Sequence, residues 1–226
     1  MPDVLTGQDY SDLVAAGERW QRREYVDCGF AEADLRGLHT TGCVFTRCDF
    51  SGADLGDSGH QATAFRSCLF RRTVLAGATL EGCSLLGSTF VECRLRPIKL
   101  AGTDLTLAGL TGAILREQSL AGLRLAEANL VEADLRGADL SGADLRGARL
   151  LGARLEGADL RGARLDANGL VQAKLAGALV DVDTAIAFAA AHGLRVDVGA
   201  GEVGAGESGA GKSGAGRSGA GRSGTP

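Results

Sequence analysis

The chain has 226 residues, 24 basic and 28 acidic side chains for a net charge of −4, and ten aromatics against 35 glycines. That length suits one domain or a repeat array, and the longest apolar run, Ala185 to Ala191, is far short of the roughly 18 residues of a membrane-spanning helix. The near balance of charge argues against a general binder of nucleic acid or anionic membrane, since both need an excess of Lys and Arg.

Residues 1–24 begin MPDVLTGQDY, acidic where a secretory signal carries a basic and then an apolar stretch, so a cytoplasmic location with reduced cysteines is expected. The segment SDLVAAGERW within them is expected to form a small N-terminal cap.

From Tyr25 to Val180 the sequence repeats every five residues. Of the 32 positions divisible by five, 22 are Leu and six are Phe, the others being Tyr25, Thr40, His60 and Val180. Two residues before each of these centres stands Ala, Cys, Ser or Thr in 26 of the 32 cases. A period of five fits neither the helical 3.6 nor the strand 2.0, so the chain must turn once per repeat. Four turns close a square, and residue n then stacks on residue n+20. The expected fold is an all-β solenoid, a quadrilateral parallel β-helix of about eight coils. The large centre and the small residue fill the interior, and the other three positions face water. Gly recurs two after the centre, at Gly37, Gly77, Gly102, Gly137 and Gly157, where a tight turn favours it.

The stretch AEANLVEADLRGADLSGADLRGARLLGARLEGADLRGARL resembles the pentapeptide-repeat family, whose motif is A(D/N)LxX. The resemblance covers about 156 residues and implies a right-handed quadrilateral β-helix.

Cys28, Cys43, Cys48, Cys68, Cys83 and Cys93 all fall at the small inward position. They are expected to be free, buried packing thiols, since no CxxC or CxxH spacing points to zinc. Thr40 and His60 occupy centres in place of Leu, and a local bulge around GDSGHQA is expected there rather than a catalytic histidine. No nucleophile with its base, carboxylate pair or metal cluster stands out, so no catalytic, cofactor or metal residues are assigned, and no small-molecule substrate.

Residues 181–198 are expected to form a short helix, DTAIAFAAAHG, started by Asp181 or Asp183 and ended at Gly193, followed by a short strand, LRVDV. Ile186, Phe188, Ala189, Leu194 and Val196 make this end apolar enough to suggest a partner surface. The helix-then-strand ending resembles that of the Qnr-type and mycobacterial fluoroquinolone-resistance pentapeptide proteins, and the resemblance implies an end-to-end homodimer. It further implies a rod shaped and charged like B-form DNA that binds DNA gyrase, or a related type II topoisomerase, in competition with DNA and without binding nucleic acid itself. Asp134, Asp139, Asp144 and Asp159 are the expected acidic patch. A scaffold for some other protein partner is the alternative, because 18 acidic and 17 basic residues between Tyr25 and Val180 are nearly balanced.

Residues 199–226 hold 11 glycines and almost nothing apolar, so they are expected to be a disordered tail. Gly206 to Ser213, GESGAGKS, matches the phosphate-cradling GxxxxGK[ST] string. No apolar strand precedes it and no helical pattern follows, so the match reads as one variant of a low-complexity pentad.

Overall fold

The computed structural model describes residues 4–197. Short parallel strands of three residues each, from Val4–Thr6 to Lys99–Ala101, lead into a ladder of isolated parallel bridges. Two helices follow, α1 (Ala167–Leu170) and α2 (Val182–Ala191). Among the strand pairs the register is n on n+20, from Val4 on Glu24 to Asp159 on Leu179. We number the four sides of the coil by the first centre each carries: Leu5, Tyr10, Ala15 and Trp20.

The coil therefore starts earlier than the sequence reading expected. Residues 4–24 do not form a separate cap; they are the first coil, with Leu5 on Tyr25 and Trp20 on Thr40. The ladder holds just under nine 20-residue coils instead of eight. Their centres keep the same register, but Tyr10, Ala15 and Trp20 depart from the Leu and Phe that mark the later repeats.

The inside is solid. Two ladders of rings run up sides 1 and 2. Tyr10, Phe30, Phe50, Phe70 and Phe90 stack at 4.8–5.1 Å between ring centroids, which sets the rise per coil. Tyr25, Phe45 and Phe65 stack at 4.9 Å beside them, and the two ladders meet edge to face, an arrangement that suits the ring quadrupole. Beyond Phe90 the centres are leucines, and Leu130, Leu135, Leu140 and Leu155 have no exposed surface at all.

The small inward position carries a second rule. The thiols of Cys48, Cys68, Cys83 and Cys93 donate to the backbone carbonyls of Tyr25, Phe45, His60 and Phe70, each 23 residues earlier, at 3.2–3.5 Å. The hydroxyls of Thr73, Ser88 and Thr103 make the same bond to Phe50, Phe65 and Leu80. A small side chain with one donor thus satisfies itself inside an otherwise apolar core. That is why Cys, Ser and Thr can replace Ala there. All six thiols are unbridged.

At nearly every corner the residue two after the centre lies in the left-handed region, Pro97, Ala167 and Gln172 being exceptions. Gly137, Gly142 and Gly162 have φ between 62° and 68°, and non-glycine residues such as Glu32, Glu92 and Glu132 are held at 54–58° in the same position. Where the next small residue donates to the centre's carbonyl, as Ala138 does to Leu135, the corner is a turn whose third residue needs positive φ.

Near the C-terminal end α1 replaces one corner while Leu170 stays buried. The Asp166 carboxylate accepts from the Gly147 amide at 2.8 Å and pins the insertion to the coil beneath. Asp181 repeats the device: one of its oxygens caps α2 at Thr184 and the other accepts from the Gly162 amide. Helix α2 ends as expected at Gly193, with φ at 78°, and the Gly193 and Leu194 amides close on the Ala190 and Ala189 carbonyls. The strand expected after it is absent from the described residues: 194–197 have no regular structure. The expected disordered tail and the GESGAGKS string lie outside the described residues.

Candidate partner-binding surface

His60 comes first, because it is the one histidine in the core among the described residues. There is no bulge around it: Gly59–Gln61 pairs in register with His39–Thr41 and Thr79–Glu81. The ring sits in a closed polar chain. The Ser58 hydroxyl donates to the Leu55 carbonyl at 2.7 Å, so it accepts from His60 Nε2 at 2.9 Å. His60 Nδ1 is then left to accept from Thr40 Oγ1 at 2.8 Å, and Thr63 stands 2.8 Å behind Thr40. With the ring neutral, this bookkeeping selects the Nε2–H tautomer. Burial, with a smaller contribution from the His39 charge, pushes the His60 pKa down to about 3. Each polar atom of the network has a partner, which makes it structural.

The outer surface offers no deep pocket among the described residues. The interior gaps amount to about 10 and 20 Å³. A recess of about 460 Å³ lies beside α1 between Arg149, Asp166, Asn168 and Gln172. No group of three or more His, Cys, Asp or Glu residues among the described ones is placed to hold a metal ion, and no helix is long and apolar enough to cross a membrane.

The expected acidic patch is not one surface. Asp134 lies on side 3, Asp144 on side 1, and only Asp139 and Asp159 share a side, stacked on side 4. Three of the four are also neutralised within their own repeat. In each Asp-Leu-Arg triplet the Leu points inward and its neighbours both point outward, so the guanidinium closes on the carboxylate two residues back. Arg136, Arg146 and Arg161 bind Asp134, Asp144 and Asp159 through two nitrogens at 2.5–2.9 Å. These bonds hold all three aspartates down near pKa 2. Asp139 instead accepts from the Ser141 amide and hydroxyl.

Most carboxylates without a cationic partner are elsewhere. Residues 4–64 carry ten acidic side chains against five basic, residues 65–126 four against eight, and residues 127–180 eight against seven. On side 2 the first three coils present Asp9, Asp12, Glu32 and Asp49 with no Arg or Lys among their outward residues. The sequence already held the signal, in the count of charges coil by coil, but the whole-chain balance hides it.

At the C-terminal end the expected contact residues split into two groups. Ile186, Phe188 and Ala189 are half-buried, and Phe188 packs on the end of the core and against the His192 ring. Leu194 and Val196 are exposed by 63% and 42%, as are Leu179 and Val182 by 52% and 74%. The first group therefore serves the end cap, and the second leaves an uncovered apolar rim.

Comparison with known proteins agrees with this geometry. The pattern of pentapeptide repeats matches residues 28–58, 61–96 and 128–166. The pentapeptide repeat protein MfpA of Mycobacterium tuberculosis is 52% identical over 50 residues, and that of Mycolicibacterium smegmatis 49% over 48. Those stretches are 22% and 21% of this chain and only 27% and 25% of the relatives, so the chain spans about a quarter of the length of the curated proteins it matches. Among solved structures, QnrB1, a plasmid-mediated fluoroquinolone resistance protein, superposes with a TM-score of 0.75 at 24% identity. The superposition covers 87% of this chain and 100% of that one, and the likeness is one of fold. Period, square coil and matched segments converge: this chain is built of pentapeptide repeats and resembles the pentapeptide-repeat proteins MfpA and QnrB1.

Proposed function

We propose that the protein is a non-catalytic, cytoplasmic ligand of DNA gyrase or a related type II topoisomerase, occupying the enzyme's DNA-binding surface as a homodimer and conferring tolerance to fluoroquinolones. The observation that carries this reading is the 52% identical stretch shared with a mycobacterial MfpA on a rod that superposes on a fluoroquinolone resistance protein. The chemistry is consistent with it: a rigid core with no reactive constellation leaves the outer columns as the working surface.

The dimer joins at the apolar rim of Leu179, Val182, Leu194 and Val196, with α2 beneath it. Two rods meeting there point their N-terminal coils outward. The unpaired carboxylates of side 2, Asp9, Asp12, Glu32 and Asp49, then sit at both tips. They replace Asp134, Asp139, Asp144 and Asp159 as the groups that contact a DNA-binding surface, because three of those four are already clamped by their own arginines and offer little to a partner.

The test is gyrase supercoiling with charge reversals. Changing Asp9, Asp12, Glu32 and Asp49 to Lys weakens inhibition, whereas the same change at Asp134, Asp139, Asp144 and Asp159 weakens it less. The reverse ranking overturns the placement. A scaffold for another protein partner is the second reading, favoured by the near balance of charge along the rod, and a wild-type protein inert toward gyrase selects it.

A further inference from the structure

Side 3 carries unpaired acids one coil below Val74 and bases one coil above it. Its column before the centres reads Asp34, Asp54, Val74, Arg94, Ile114 in successive coils, and its column after the centres reads Arg36, Gly56, Ala76, Arg96, Arg116. Asp57 and Glu117 stand at the neighbouring corner. Val74, Ala76 and Gly77 are small, uncharged and only half-buried. One coil below them are acids and one coil above them are bases. Asp54, Asp57 and Arg94 have no ion-pair partner among the described residues, and Arg96 has only a 3.4 Å contact to Glu117.

We infer that side 3 binds side 3 of a second copy, antiparallel, about a two-fold axis through Val74 and Ala76. Such an axis lies in the interface and keeps each column facing itself with its direction reversed. Asp54 of each rod then faces Arg94 of the other, and Asp57 lies beside Arg96. One coil further out Asp34 faces Ile114 and Arg36 faces Arg116, but Arg36 is held by Asp34 and Arg116 by Asp134, so the outer coils add no net attraction and the central coils carry the contact. Each central pair occurs twice. The register is specific: sliding the axis up by one coil opposes Asp54 with Asp134. A side one pentapeptide wide and five coils long falls below the ~1,200 Å² of a stable interface, so the association is weak, concentration-dependent and electrostatic. It uses neither α2 nor the apolar rim, and it stands independently of the gyrase reading.

The experiment is sedimentation velocity of the full chain, in the wild type and in a Leu194→Asp background that removes the apolar rim. Both are expected to associate at low ionic strength, with the half-association concentration rising at least ~10-fold between about 50 and 500 mM salt. The outward-facing reversals Asp54→Arg/Asp57→Arg and Arg94→Asp/Arg96→Asp each abolish the salt-sensitive step, and an equimolar mixture of the two variants restores it. An Ala76→Cys variant forms an intermolecular disulfide with itself under mild oxidant, at low salt only. Melting curves check that each variant is folded. No salt-sensitive step in the Leu194→Asp background overturns the inference, as does a mixture that fails to restore it. A wild type inert toward gyrase leaves these outcomes untouched.

Discussion

Acid should unfold this rod through His60 before it does so through any carboxylate. In the folded chain His60 is fully enclosed, its proton is on Nε2, and its pKa lies near 3. In the unfolded chain it returns to about 6.5. The unfolded state therefore takes up the proton first as pH falls. The stability due to neutral His60 is complete above about 6.5 and is lost progressively down to about 3, at roughly 1.4 kcal/mol per pH unit. Between pH 7.5 and pH 5 the loss is about 2 kcal/mol, a large fraction of a typical folding free energy. The arginine-clamped Asp134, Asp144 and Asp159 titrate only below their ordinary 3.8, so this window isolates the histidine. The perturbation is a Thr40→Leu/His60→Leu pair, which extends the leucine column down from Leu80. Ser58 keeps its bond to the Leu55 carbonyl and Thr63 keeps its bond to Gln61, so no buried donor is orphaned. Urea unfolding at several pH values gives the free energies. Wild type should lose stability across the window and the double variant should not. Equal slopes in the two proteins would refute the assignment of the loss to His60.

Three further outcomes follow from the packing. Leu135→Ala opens a cavity at a site with no exposed surface and costs about 2 to 5 kcal/mol, whereas Arg136→Ala removes only an outward ion pair and costs below about 1 kcal/mol; similar losses in a denaturant titration would mean inside and outside are misassigned. Native protein reacts slowly with a thiol reagent because five cysteines are buried and Cys93 is half-buried, and unfolding in denaturant releases six thiols; a smaller number after reduced purification contradicts the free-thiol structure. Phe188→Asp lowers both thermal stability and dimer content, since that ring also packs on the core end, while Leu194→Asp lowers dimer content alone, as read by light scattering and melting.

The square coil was legible because the inside of the rod is narrow: only Leu or Phe at the centre and a small residue before it fit, so packing imposes a period of five on the sequence. The first coil was less legible for the same reason. At an end the interior is less enclosed, and Tyr10, Ala15 and Trp20 can differ from the rule while keeping its register. The supposed defect at Thr40 and His60 is a network of four inward polar residues, Thr40, Ser58, His60 and Thr63. Only stacking at n+20 brings them together, so reading the residues singly misses it. The acidic patch failed because adjacent repeats occupy different sides, and Asp134, Asp139 and Asp144, each five apart, must point in three directions. The Asp-Leu-Arg spacing that neutralises Asp134, Asp144 and Asp159 was visible in the sequence. The missing strand at 194–197 shows the limit of local pattern, because whether an apolar alternating segment becomes a strand depends on pairing that the local sequence does not encode.

The central claim is that this rod acts by occupying a topoisomerase. Its most direct measurement is DNA gyrase supercoiling with purified full-length protein, with and without a fluoroquinolone. The account predicts that wild type inhibits supercoiling and reduces drug-induced cleavage, and that Leu194→Asp does both far less well. Wild-type protein that forms normal dimers yet leaves supercoiling and cleavage unchanged would contradict it.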